Sequence, residues 1–179
     1  MNVAIEGVAR QSCPFDPTSP ELNAAENGND GVKSSCSSYS PNCSASSSLV
    51  RWWEVDLASK TMIHSIVAQT QLLTYFGGVS LQIFDGTQLQ MDISIWDHIM
   101  SNPSYITGSA TVVIPLPDPI LGDRVRLTTS EKKSLILCEV EVKGIPVDEC
   151  IQTSQSIDGI SSNVLDGEDC ILMTCYLSI

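Results

Sequence analysis

Between Leu22 and Gly31 the chain reads LNAAENGNDG, a run in which Asn, Glu and Asp are spaced by small residues and glycines. Carboxylate, amide and backbone carbonyl oxygens on a loop able to turn sharply are the donors that calcium takes, roughly six to eight at a time. The run is not an EF-hand, because no helical pattern flanks it and the ligand order differs. Taken alone, an Asx-rich turn accounts for it more simply than a metal site does. Seven cysteines, at 13, 36, 43, 138, 150, 170 and 175, offer the other obvious chemistry. Zinc would want tight C-x-x-C pairs near histidine, and neither is present, so disulfides and an oxidising compartment are expected. The odd count leaves one thiol free, bonded to another chain, or paired beyond this sequence. Catalysis has little to work with. His64 lies in MIHSIVA and His98 in IWDHIM, contexts that suggest neither a nucleophile nor a metal ligand. A glycosidase needs two facing carboxylates, and no spacing among the 21 acids selects a pair. No enzyme is expected.

The elements that must carry these residues are strands. VSLQIF places Val79, Leu81 and Ile83 on one face, RVRLTT does so for Val125 and Leu127, and RWWEVDL for Trp53, Val55 and Leu57. SLILCEVEVKG, 134–144, reads as one alternating strand, with Ile136, Cys138, Val140 and Val142 on one side and Leu135, Leu137, Glu139 and Glu141 on the other. Helical periodicity is confined to SIWDHIM, through Trp96, Ile99 and Met100. Prolines 115, 117 and 119 confine IPLPDPIL to an edge or crossing segment. Residues 17–48, rich in Ser, Asn, Pro and Gly, contain two cysteines and read as a long loop pinned to the body. The expected fold is all-β, an antiparallel β-sandwich or jelly roll with long disulfide-pinned loops, in one domain over 1–146. A cysteine-containing segment over 147–179 follows it.

A formal charge of −12 argues against nucleic acid and anionic lipid as partners. No 18 apolar residues run together, so no membrane span is expected. Met1 is followed by neither a basic nor an apolar leader region, which reads as a mature start or a fragment of an exported chain. Asn42-Cys43-Ser44 is a usable glycosylation sequon, whereas Asn102-Pro103-Ser104 is blocked by its proline.

NVAIEGVARQS, NAAENGNDG, WWEVDL and LILCEVEVKG follow one another in an order that resembles the F-type lectins. These are the fucolectin or tachylectin-4-like domains of the discoidin-like, galactose-binding-like group, and the resemblance spans about residues 2–144. It implies an eight-stranded sandwich that binds terminal L-fucose at one end, a structural calcium, secretion, and glycans or glycoproteins as partners in innate immunity or adhesion. Carried onto this chain, the calcium ligands are Asn23, Glu26 and Gly28 with the Cys138 carbonyl and the Glu139 carboxylate. Glu26 replaces the family's Asp, and Asn27-Gly28 its Gly-Asn. The family's disulfide to the LCEVEV cysteine implies Cys43 or Cys36 bonded to Cys138. The family's sugar-binding histidine, two residues past that first cysteine, falls on Ser38 or Ala45. Its two arginines fall at Gln71 and Tyr75, in a loop without a basic residue. A second family disulfide falls at Tyr105 and Leu116, both cysteines being absent together. The expectation is a lectin-like domain with altered or lost fucose specificity, in which Tyr75 and Phe76 of LLTYF stack on a sugar or close the end of the sandwich. The alternative is an interaction module that sets the same loop against a protein or a membrane. DGEDCILMTCYLSI, near the C-terminus, resembles the opening of an apple or PAN module.

Overall fold

The structure, a computed structural model, describes residues 1–12, 24–33, 36–38, 51–108, 110–129 and 135–148. Asn23, Cys13, Cys43, Ala45, Cys150, Cys170, Cys175, the Asn42 sequon and nearly all of the 147–179 segment lie outside those residues. Nine strands form among the described residues: β1 (Val8–Gln11), β2 (Ser37–Ser38), β3 (Arg51–Gln69), β4 (Val79–Asp85), β5 (Gln88–Ser94), β6 (Ile106–Thr107), β7 (Thr111–Thr129), β8 (Ile136–Leu137) and β9 (Glu139–Pro146). One helix, α1 (Ile95–Ser101), follows β5.

The two 19-residue strands, β3 and β7, run antiparallel and belong to both layers of the sandwich. Their ladder shifts register between Asp56 and Thr61 and again between Ile63 and Ser65. Before the first shift, β3 pairs with β1 and with 124–129 of β7, which passes the ladder on to β4 and β5. Beyond the second, β3 pairs with β9 and with 111–115 of β7, beside which β6 lies. Residues 116–119 of β7 fall in the second shift, opposite His64, so Pro117 and Pro119 interrupt no ladder hydrogen bond. The prolines therefore sit in a crossing segment, as the sequence predicts, although the strand itself is central.

One core joins the two layers. Trp53, Val55, Leu81, Ile83, Val125 and Leu127 from the first pack with Ile66, Ala68, Val112, Ile114, Val140 and Val142 from the second, each 0–1% exposed. Burying a large apolar side chain of this kind contributes about 1.5–3 kcal/mol. Trp52 alternates to the outer face, where Arg126 lies 5.2 Å from its ring centroid. Arg126 also gives two hydrogen bonds to Glu54 Oε2, at 2.8 and 2.6 Å, and Arg10 pairs with Asp56 at 2.7 Å. These cross-strand pairs fix the β1–β3–β7 register. The β4–β5 hairpin turns at Gly86, whose φ of 58° suits glycine and whose N–H goes to the Asp123 carboxylate.

Two expectations need correction. The run 134–144 is not one strand: β8 and β9 are separated at Cys138, whose N–H leaves the β2 ribbon to bond the Gln69 carbonyl at 2.8 Å. The break switches which side is buried, so Leu135 and Leu137 join Val140 and Val142 in the core. In α1, capped by Ser94 Oγ on the Asp97 amide at 3.2 Å, Ile95 and Ile99 face inward one turn apart. Met100, expected among the inward residues, is 54% exposed.

At the positions of the missing second disulfide, Leu116 is buried in the core and Tyr105 stacks on His98 with centroids 4.9 Å apart. The N-terminal residues lie along β9, with Val3 N–H on the Val142 carbonyl at 2.9 Å and an Asn2–Lys143 bridge. Met1, Ala58, Ser59, Thr61 and Pro146 line one shallow recess of about 100 Å³ at that end of the sandwich.

Cys36 and Cys138 are bonded across 102 residues of sequence, settling the choice against Cys43. A Cys36→Ser, Cys138→Ser protein is expected to lose about 4–5 kcal/mol in urea denaturation, the chain-entropy value for so long a loop. His98 gives a pH dependence. Its Nε2 is buried without a hydrogen-bond partner, and burial lowers its pKa. The unfolded chain takes up this proton near pH 6.5 while the folded chain resists it, so stability falls as pH drops from 6.5 toward the lowered folded value. His98→Phe, which keeps the stack, is expected to flatten that part of the profile in denaturation at pH 7.5, 6.5 and 5.5.

Candidate functional site

Because β3 and β7 serve both layers, the connection from β3 to β4 must cross from one layer to the other at one end of the sandwich. Gln69 ends β3 opposite Glu139 and Thr111, while Val79 starts β4 opposite Thr129, which in turn faces Arg51. Residues 70–78 span that gap. The β2–β8 ribbon lies at this end too: Ser38 pairs with Ile136, Ser37 with Leu137, and the next rung is the Cys36–Cys138 bond. Gln71 is exposed, with its Nε2 4.0 Å from Cys36 Sγ. The structure thus gathers Gln71 and the Ser38 backbone around the disulfide. Tyr75 is half-buried in a 3-10 turn, Leu73–Phe76, that the Tyr75 N–H closes on the Leu72 carbonyl at 2.9 Å. Phe76, expected either to stack on a sugar or to close the end of the sandwich, is 0% exposed and belongs to the core, the second of those roles. Leu72 is the exposed apolar residue of this loop, at 58%. From 61 to 123 the sequence contains neither Lys nor Arg.

The acidic loop lies against β9. Its 3-10 turn, Ala25–Gly28, has no side-chain cap and is held from below, where Trp53 Nε1 donates to the Ala25 carbonyl at 2.8 Å. Asn29, 4% exposed, donates through Nδ2 to the carbonyls of Ala4 and Gly7 at 2.7 and 3.2 Å. Farther along, the Gly31 N–H meets Glu139 Oε2 at 3.0 Å. Asn27 Nδ2 reaches the Cys36 carbonyl at 3.4 Å, which joins this loop to the disulfide. Glu26 is exposed, and its carbonyl accepts the Asn29 N–H, while Cys138 is 3% exposed.

Glu139 is the electrostatic anomaly. Its side chain is buried, with the residue 2% exposed, and Oε1 has no hydrogen-bond partner. Burial pushes its pKa up to about 7, against the Gly31 hydrogen bond, and the nearby Asp30 and Glu141 add to the rise. A carboxylate left in this state is what a cation would relieve, so the donor chemistry fits calcium. Among the described residues no three His, Cys, Asp or Glu side chains converge, and a cation here would take most of its oxygens from backbone carbonyls and amides.

Sequence reasoning placed Asn29 and Gly31 in this loop but missed the contacts they make, and it missed the indole of Trp53 as a support of the loop. Nothing in local spacing shows that a core tryptophan supports a turn 28 residues earlier. The histidines stand apart from both features: His64 Nδ1 pairs with Ser65 Oγ at 3.3 Å and His98 stacks on Tyr105. Among the described residues no helix is long and apolar enough to cross a membrane.

No protein-family model matches the chain. Individual relatives do. Fucolectin-4 of Anguilla japonica is 29% identical over 150 residues, 80% of this chain and 80% of its own. The F-lectin from striped bass (Morone saxatilis) serum superposes with a TM-score of 0.62 at 25% identity, over 81% of this chain and 49% of its own, so this chain spans about half of that protein. A Streptococcus pneumoniae fucose binding module shares the fold at a TM-score of 0.60 and 20% identity, over 80% and 97% of the two chains. Each of the three is named as a lectin or as a binding module. Fucolectin of Anguilla anguilla is 30% identical over 148 residues, 79% of this chain and 89% of its own. At that identity over that share of both chains, the protein belongs to the fucolectin family, the F-type lectins.

Proposed function

We propose that the protein is a glycan-recognition domain whose specificity departs from terminal fucose, with a structural calcium ion beside the site. The observation that carries this reading is the exposed Gln71 side chain set next to the Cys36–Cys138 bond, at the end that the 70–78 loop crosses. Its relatives are named for fucose. Here Ser38 stands at the family's histidine position and Gln71 and Tyr75 stand at its arginines, so amide and hydroxyl groups replace cations. Such groups both donate and accept, which suits sugar hydroxyls. A hydrogen bond to a charged donor contributes about 1.5–3 kcal/mol, so the loss of three removes most of the affinity for fucose bound in the family manner.

Calcium would be held by the Glu139 carboxylate, the Cys138 carbonyl and the loop oxygens of Glu26 and Gly28, with Asn23, which lies outside the described residues, completing the set. It would supply the positive charge that Glu139 lacks and hold the acidic loop against β9. The disulfide supports a secreted protein, since such bonds persist in oxidising surroundings. The 58% exposure of Leu72 supports a second reading, in which this loop docks on a protein or a membrane.

A glycan array probed with and without EDTA tests the first reading. Binding to glycans other than terminal α-L-fucose, lost in EDTA, is expected; no binding to any glycan at high protein concentration would leave only the second. The paired substitution Ser38→His, Gln71→Arg is expected to raise affinity for L-fucose at least about tenfold in calorimetry, the lower end of a single charged hydrogen bond. EDTA is expected to lower the melting temperature, and an unchanged value would remove the metal site. Glu139→Gln should weaken calcium binding by more than the roughly 10- to 100-fold that loss of an outer partner costs.

A further inference from the structure

We propose that Trp53 is a positioning residue of the cation loop: its indole N–H holds the turn at Ala25–Gly28 in the conformation in which the loop takes calcium. The inference rests on the calcium reading above and goes beyond it, because Trp53 donates nothing to the ion.

Two contacts carry it. At the start of the turn, the indole N–H meets the Ala25 carbonyl at 2.8 Å, wholly inside the protein. At its end, Gly28 lies so close over the ring that a methyl group there would stand 2.8 Å from Nε1, 2.9 Å from Cε2 and 3.0 Å from Cζ2. Real side-chain carbons do not approach so closely, so only a residue without one can rest on this indole. One ring thus fixes both ends of the turn, by a hydrogen bond and by contact. The indole is itself immobile, being 1% exposed within the core.

The consequence follows from the geometry. With the Ala25 carbonyl turned down to the indole, the turn has one orientation relative to Glu139, whose Oε2 takes the Gly31 N–H and whose Oε1 is buried without a partner. The Asn29 side chain and the Gly31 N–H then hold the outgoing chain. Groups that orient ligands without touching the metal typically change affinity about 10- to 100-fold when removed. A phenylalanine at 53 would fill most of the same space and lack the N–H.

The test uses the full chain stripped of metal and titrated with Ca²⁺. Calorimetry compares wild type, Trp53→Phe and Gly28→Ala, the last displacing the turn from the other side while leaving the core side chains in place. Affinity is expected to fall about tenfold or more in both variants. In the ¹H–¹⁵N spectrum of wild type, the Trp53 indole resonance, identified by its loss in Trp53→Phe, is expected to move on calcium addition. A purely structural tryptophan would lower the melting temperature in EDTA and leave calcium affinity and its own resonance unmoved. If the variants bind as wild type does, the positioning role is overturned and the calcium reading stands. If wild type takes up no calcium, both fall together. Should Trp53→Phe not fold, Gly28→Ala decides: a loss of affinity supports the role and an unchanged affinity overturns it.

Discussion

The register of the β3–β7 ladder is the constraint on which the rest of the domain depends. Two strands of 19 residues, bonded to each other for most of their length, cannot lie flat in one sheet and also enclose a core. The shifts after Asp56 and Ile63 let the same pair supply the centre of both layers. A one-residue slip in either half would turn Trp53 and Val55, or Ile66 and Ala68, toward water and bring Glu54 or Ser65 inward. Outer-face pairing between Arg126 and Glu54 opposes such a slip in the first half, and the close approach of Gly144 to Thr61 and Met62 opposes it in the second.

Two buried acids show how differently the fold treats charge. Glu54 is covered on the outer face of a sheet and has both a bidentate guanidinium and a second arginine nearby. Glu139 is equally buried and has a single backbone N–H. In a chain with 9 basic residues and a formal charge of −12, cations are scarce, and the sheet takes three arginines for its own register. The loop end receives none from residues 61–123. A structural pair and an open carboxylate thus arise from the same shortage.

Much of the sandwich was legible because it rests on period-two patterns. Val79, Leu81 and Ile83, Val125 and Leu127, and Trp53, Val55 and Leu57 all face inward as their alternation predicts. The failures come where a tertiary bond overrides a local pattern. LILCEVEV alternates without interruption, yet Cys138 is drawn out of line by Cys36 and the Gln69 carbonyl, and the alternation restarts on the other side. Phe76, whose sequence context left open a stacking ring or a closure of the sandwich, takes the second role, because the turn at Leu73 rotates it into the core. Of the site, the disulfide was narrowed to two candidates and the acidic loop was found. Its anchors were invisible, since Trp53 and Asn29 act through backbone carbonyls, which carry no sequence identity. Asn23 and Ala45 lie outside the described residues.

Met1 lies by Gly144, and β9 runs from Glu139 at the loop end to Pro146 at the far end, so the N-terminus and residue 148 leave from the same pole. That pole is opposite the 70–78 loop. A neighbouring module attached at either end would hang behind the domain and leave Gln71 and the disulfide facing outward. Copies strung on one chain, or gathered by any contact at that pole, would all present their loops in one direction. Shallow sugar sites are weak singly, and an array with a common outward face turns many weak contacts on a glycan-covered surface into one firm attachment.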